Sequence, residues 1–276
     1  MQTLTRTAAI AEQALAWRAQ GLRVGFVPTM GFLHRGHTSL MELARPRCDK
    51  LVVSIFVNPL QFGVNEDLDR YPRDPEGDAA KCRAAGVDVL FVPDDFYPPD
   101  HSTRVRVEGL SEGLCGTSRP VFFEGITTVV ARLFGVVQPT VTVFGEKDYQ
   151  QLAIIRRMVR DLALPIEVLG GPLIRDDDGL ALSSRNAYLS PAQRARALSL
   201  HRALFAMAAA EERDAAALIA LGRSILDVDT FDYLEIRDAV TLAPLETVDR
   251  PARALVGCWI GGTRLIDNVA IERPWT

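Results

Sequence analysis

The 276-residue chain carries 31 Lys and Arg against 35 Asp and Glu, a net charge of −4, with the two signs interspersed. No basic stripe forms, so a nucleic-acid partner is not expected. With 48% hydrophobic and 24% charged residues the composition is that of a folded globular protein, which excludes fibrous and disordered classes. No run of about 18 apolar residues and no apolar signal core occur, so no membrane partner is expected either. Four scattered cysteines, Cys48, Cys82, Cys115 and Cys258, include no C-x-x-C pair, which fits a reducing, cytoplasmic setting better than a zinc site.

Taken in chain order, Arg23–Val27 reads as a strand and 37–44 as the helix after it. Leu51–Val57 is a near-continuous apolar run of the kind found in a central parallel strand. A helix over 75–85, a strand over 87–92, an amphipathic helix over 124–137 and a strand over 140–144 follow. A helix over 148–162 and a strand over 166–169 complete the first part. This alternation predicts an α/β fold with a doubly wound parallel, Rossmann-like sheet. Gly170-Gly171-Pro172 reads as a break, giving a first domain over 1–172 and a smaller C-terminal α+β domain over 173–276. In the second part Ser190, Pro191 and Gln193 carry the signature of a helix start with a capping box. An Ala-rich helix, a second helix over 214–226, and strands over 231–236, 254–260 and 264–271 come after it.

Four segments carry candidate chemistry. Met30-Gly31-Phe32-Leu33-His34-Arg35-Gly36-His37 follows the first predicted strand and opens a helix. Glycines for tight turns, a helix N-terminus and two imidazoles suit a phosphate; the bland alternative is that both histidines merely cap the helix. Asn58 and Gln61 lie just past a strand end, where neutral amides suit hydroxyl and carboxylate groups, although Asn58 could simply cap a turn. Gly145-Glu146-Lys147-Asp148 again joins a strand to a helix, with Lys147 placed for a polyphosphate, Asp148 a plausible cap, and Gln150 and Gln151 following. Ile174 opens the fourth segment, which runs through Asp176-Asp177-Asp178-Gly179 to Leu182, Ser183, Ser184 and Arg185. Two hydroxyls and a guanidinium suit a phosphate clamp on a mobile loop; the aspartates read as a turn rather than a metal site.

The H-x-G-H turn resembles the nucleotidyl-transferase superfamily that includes class I aminoacyl-tRNA synthetases. The longer string P-T-M-G-x-L-H-x-G-H resembles the pantothenate synthetases, the pantoate–β-alanine ligases, and all four segments occur in that family's order. The resemblance implies two steps: pantoate carboxylate attacks the α-phosphorus of ATP, and β-alanine then displaces AMP. It implies catalytic roles for His34, His37, Lys147 and Arg185. It further implies ATP contacts from 30–37, 145–148, Ile174 and 182–185, and acid contacts from Asn58, Gln61 and Gln151. Gln61 is implied to meet both pantoate and β-alanine, and Gln151 to be favoured over Gln150. A homodimer is implied too; such chemistry is expected to use Mg²⁺ carried with ATP, and the place of Ser183-Ser184-Arg185 just past Gly170-Gly171-Pro172 suggests a closing C-terminal lid. Two positions depart from the family pattern: Leu182 stands where methionine is usual, and Val121 where glycine is common. A relative that stops at the adenylate, and a non-catalytic nucleotide sensor, are the rival readings.

Overall fold

A computed structural model describes residues 1–63 and 66–272. Their contacts divide them into two compact units. The first comprises Met1–Gly109, Arg119–Glu146 and Ile154–Pro172; the second comprises Leu110–Ser118, Lys147–Ala153 and the chain from Leu173 onward. The second unit thus includes two short segments that precede the Gly-Gly-Pro sequence.

Among the described residues, the first unit is built on a six-stranded sheet whose pairings are all parallel, in the order β1-β4-β3-β2-β5-β6. The strands are β1 (Gln2–Leu4), β2 (Val24–Thr29), β3 (Lys50–Ile55), β4 (Val89–Phe91), β5 (Val141–Gly145) and β6 (Glu167–Gly171). Between them run α1 (Thr7–Ala19), α2 (Arg35–Ala44), α3 (Pro75–Ala84), α4 (Cys115–Ser118), α5 (Phe122–Val137) and α6 (Tyr149–Asp161); α4 and the first turn of α6 group with the second unit. Helices cover both faces of the sheet. Val27, Leu51, Val53, Val141 and Val143 pack with Leu40, Met41 and Ala44 of α2, while Phe26 and Phe144 meet Phe134 of α5 edge-on. A strand buried on both sides has no polar face to alternate with, and this is why β3 reads as a near-continuous apolar run, broken only by the buried Ser54. The strand order reverses between β2 and β5, the position at which open α/β sheets hold ligands.

The predicted strands and helices of this unit all occur, with ends displaced by a few residues. Two elements, β1 and α1, were not anticipated; Gln2–Leu4 completes one edge of the sheet by pairing with Val89–Phe91. The expected break at Gly170-Gly171 begins later, because both glycines pair with Phe144 and Gly145 as the end of β6. The strand ends at Gly171, before Pro172, which lacks the N–H that a continuing ladder needs.

The second unit contains α7 (Pro191–Ala209), α8 (Ala215–Ile225) and a three-stranded antiparallel sheet of β7 (Thr230–Asp238), β8 (Ala252–Ile260) and β9 (Thr263–Ile271). Ser190 and Gln193 form the expected reciprocal capping box, each side chain receiving the other's main-chain N–H. Asp214 caps α8 through the N–H of Ala217. The two helices bury Leu200, Leu204, Met207 and Leu218 against Leu234, Ala254, Val256 and Ile260 of the sheet.

Candidate active site

Two groups of predicted site residues occur, one in each unit. In the first unit the turn after β2 has Gly31 at φ +89° and Phe32 at φ +51°. A non-glycine residue rarely occupies this left-handed region, at a cost on the order of 1 kcal/mol or more, and needs support. Asp78 of α3 supplies it. Its buried carboxylate accepts the Phe32 N–H at 2.8 Å and the Leu33 N–H at 2.6 Å.

His34 is the N-cap of α2. Its Nδ1 accepts the Gly36 N–H at 3.1 Å, and the His37 Nδ1 accepts the His34 N–H at 3.2 Å. The two rings lie 4.1 Å apart between centroids. With Nδ1 accepting in both, the proton of each neutral ring resides on Nε2, so each imidazole is a donor on its outer side. The capping alternative is therefore present, and it is compatible with chemistry because it uses only one nitrogen of each ring. The expected cradle of main-chain amides takes a different form. The N–H groups of Gly31, Phe32, Leu33, His34 and Gly36 are engaged by Thr29, Asp78, His37 and His34 side chains. Gly36 lies inside the helix, so Gly31 alone of this pair serves the turn.

Past the end of β3, Asn58 caps a short 3-10 turn, Pro59–Gln61, with its side chain accepting the Leu60 N–H. Asn58 is buried, and its amide is occupied within the protein: Nδ2 donates to Gly125 O at 3.1 Å and to Gln61 Oε1 at 3.0 Å, and Oδ1 also accepts from Tyr97 Oη at 3.0 Å. Gln61 in turn directs Nε2 to Met30 Sδ at 3.2 Å. Its main-chain carbonyl accepts from Arg119, which is bound to Glu66 at 2.9 Å. Burial raises the Tyr97 phenol above its ordinary range and lifts the Cys82 thiol, beside Asp78, to about 11, so both stay protonated near neutrality.

In the second unit Lys147 and Asp148 belong to the 3-10 turn Glu146–Asp148, and Asn268 donates to the Lys147 carbonyl at 2.9 Å. Gln150 is buried, accepting from the Cys115 N–H and donating to the carbonyls of Leu110 and Gly113; Gln151 is half-buried. Residues 174–182 form a hairpin closed by Leu182 N–H to Ile174 O at 3.0 Å, with Gly179 at φ +94° in its turn. Arg194 binds both Asp176 and Asp178 at 2.8 Å, and Arg175 makes a fork to Asp267 at 2.7 and 2.9 Å. The aspartate run is thus a turn tied down by an arginine. Ser183 caps a second 3-10 turn, Ser184–Tyr188, by accepting the Arg185 N–H. Ser184 is buried and Arg185 half-buried. Val121 has φ −92°, which a β-branched residue adopts without strain, so glycine is not required there.

Asp78, Tyr97 and Arg119 were not foreseen. No local signal marks them, since each acts on a residue far away in the chain.

A six-stranded parallel sheet that reverses its order beside the H-x-G-H turn defines the class as a doubly wound, Rossmann-like α/β protein. The chain belongs to the pantoate-beta-alanine ligase family, whose model matches residues 2–270. It is 53% identical over 264 residues to the pantothenate synthetase of Pseudomonas entomophila (strain L48), covering 92% of each chain. It is 51% identical over 280 residues to that of Moorella thermoacetica, covering 99% of each. Among solved structures, the pantothenate synthetase of Thermus thermophilus superposes with a TM-score of 0.92 at 48% identity, over 99% of this chain and 100% of that one. A pantoate-beta-alanine ligase of Francisella tularensis, complexed with beta-gamma ATP and beta-alanine, gives 0.82 at 31% identity over 100% of both chains.

Proposed function

We propose that this chain condenses (R)-pantoate with β-alanine at the expense of ATP, releasing AMP and pyrophosphate through a pantoyl-adenylate, as a step of pantothenate biosynthesis. The observation that carries the reading is the family match over residues 2–270, with the H-x-G-H histidines capping the helix that follows a central strand. The Francisella relative, complexed with beta-gamma ATP and beta-alanine, supports the same substrates here.

In this reading the Nε2–H groups of His34 and His37 donate to phosphate oxygens as charge builds in adenylate formation, and Lys147 and Arg185 stabilise the departing pyrophosphate. Such chemistry rests on positioning and preorganised donors rather than on a covalent enzyme intermediate. Residues 30–37, Gly145, Glu146, Lys147, Asp148, Ile174, Leu182, Ser183 and Ser184 contact ATP; Gln61 and Gln151 contact the acid. Mg²⁺ enters as part of the MgATP substrate. The domain division at 172/173, a lid role for the second unit, a homodimer and a cytoplasmic location belong to the same proposal. The lid rests on the position of the Ser-Ser-Arg run just past the Gly-Gly-Pro sequence.

ATP–pyrophosphate exchange dependent on pantoate, with AMP release dependent on β-alanine, tests the reading. Exchange without pantoate, or a product that retains AMP, would overturn it; the second result is what an adenylate-forming relative that stops after one step would give.

A further inference from the structure

An amide side chain has nearly the same shape whichever way its oxygen and nitrogen face, so its neighbours decide what it shows to a ligand. At Asn58 that decision is over-determined. The Leu60 N–H requires an acceptor and the Gly125 carbonyl requires a donor, and both are main-chain groups that cannot exchange roles. Oδ1 must therefore face Leu60, where it also receives the Tyr97 hydroxyl proton at 3.0 Å, and Nδ2 must face Gly125. The remaining Nδ2 proton reaches Gln61 Oε1 at 3.0 Å.

We infer that Asn58, anchored by Tyr97, is a positioning residue that fixes the polarity of Gln61. With Oε1 turned to Asn58, Gln61 directs its NH₂ toward Met30, whose thioether at 3.2 Å is a weak acceptor that a ligand oxygen readily replaces. Gln61 thus shows its donors, and not its oxygen, on the Met30 side. It selects a carboxylate or hydroxyl oxygen at that point and rejects an ammonium group. The inference rests on the proposed role of Gln61 in pantoate binding, and it moves Asn58 from a substrate contact to a residue that acts through Gln61. Two features hold the relay in place. Gly125 lies against the 59–61 turn so closely that a Cβ on it would stand 2.3 Å from Leu60 O. The Tyr97 ring is packed by Phe56, Phe96 and His101, and its half-buried phenol remains a proton donor.

Steady-state KM for pantoate and for ATP, measured with kcat and the melting temperature, tests the relay in four variants. Asn58→Ser retains an oxygen to cap the turn and loses the donor to Gln61. Asn58→Asp replaces the donor by an acceptor and drives Gln61 to turn over. Gln61→Glu leaves Asn58 satisfied and shows the ligand an oxygen. Gln61→Ala removes the contact. All four should raise the pantoate KM about 10- to 100-fold, the range for leaving a buried polar group unpaired, with the ATP KM within about twofold. An unchanged pantoate KM in Gln61→Ala overturns the reading of Gln61 itself. If Gln61→Ala raises it while Asn58→Ser, melting as the parent does, leaves it unchanged, the relay is wrong and the pantoate reading stands. If neither Asn58 variant folds, Gln61→Glu decides: a pantoate KM equal to the parent's overturns the donor-polarity inference.

Discussion

His34 and His37 cap one helix through the same atom type: the Nδ1 of each accepts a main-chain N–H in the first turn of α2. Each ring is thereby both a structural cap and, through Nε2, a donor. Replacing either by Ala should lower the rate of adenylate formation by about 10²–10³, the scale of losing one preorganised donor. It should also cost about 0.5–2 kcal/mol of stability through the lost cap. His34→Asn offers an oxygen in place of Nδ1, so it should recover most of the stability and little of the rate. Denaturant titration alongside pyrophosphate exchange separates the two effects; a variant that regains rate with stability would show that capping alone is what the histidine does.

Asp78→Asn is isosteric, yet it presents an NH₂ to one of the two buried N–H groups that the carboxylate now accepts. The expected cost is about 1–3 kcal/mol of stability. Freed from its anchor, Phe32 should leave the left-handed region, and pyrophosphate exchange should fall even where the protein remains folded. A variant with parental exchange and parental stability would show that the turn holds itself.

Arg185 lies in a short turn that Ser183 caps by accepting its main-chain N–H, so its backbone is set by its neighbours. Arg185→Lys keeps the charge and loses the planar fork, and should slow single-turnover adenylate formation by at least about tenfold. Arg185→Ala should slow it by about 10²–10³, read in single turnovers on protein shown to be folded. An unchanged chemical step in Arg185→Ala would remove this residue from the reaction.

Asp238 sets an acid limit for the second unit. Burial alone would raise its carboxyl, but N–H donors from Thr241 and Val240, the Thr241 hydroxyl and Arg250 outweigh that and hold it down at about 2. A carboxyl depressed on folding contributes stability that is fully present above its unfolded value, near 4, and is lost as pH falls toward 2. The contribution is roughly 2 kcal/mol. Asp238→Asn should therefore be less stable at pH 7 and show a flatter decline between pH 4 and 2, measured by urea unfolding at each pH. An identical acid limb in both proteins would remove Asp238 from the account.

Local patterns made the elements legible: β3 through its near-continuous apolar run, and α7 through Ser190, Pro191 and Gln193 before an Ala-rich stretch. The H-x-G-H turn was legible as a candidate site because its residue types and its place after a strand coincide. What escaped notice depends on distance in the chain. Asp78 is 46 residues from the Phe32 amide it anchors, and Tyr97 is 39 residues from Asn58. A buried aspartate inside a predicted helix looks like any surface acid until the fold turns it inward. For the same reason Asn58 reads as a ligand group from sequence, since its capping turn is local but its bond to Gly125, 67 residues on, is not. Strand β1 is three residues long, too short for any periodicity to reveal it.

The pairing of β2 with β5 has a consequence for how the protein is made. Phe26 and Thr142 are sheet neighbours 116 residues apart. On the ribosome, β3 is synthesised soon after β2 and covers one of its edges. The other edge stays open until β5 emerges, on the order of ten seconds later at ordinary elongation rates. Through that interval the nascent chain exposes an apolar strand edge at the centre of its future sheet, the kind of surface that templates aggregation. Yield of folded protein should accordingly respond to translation speed and to chaperones that hold nascent chains, even though β5 pairs with that edge in the finished sheet.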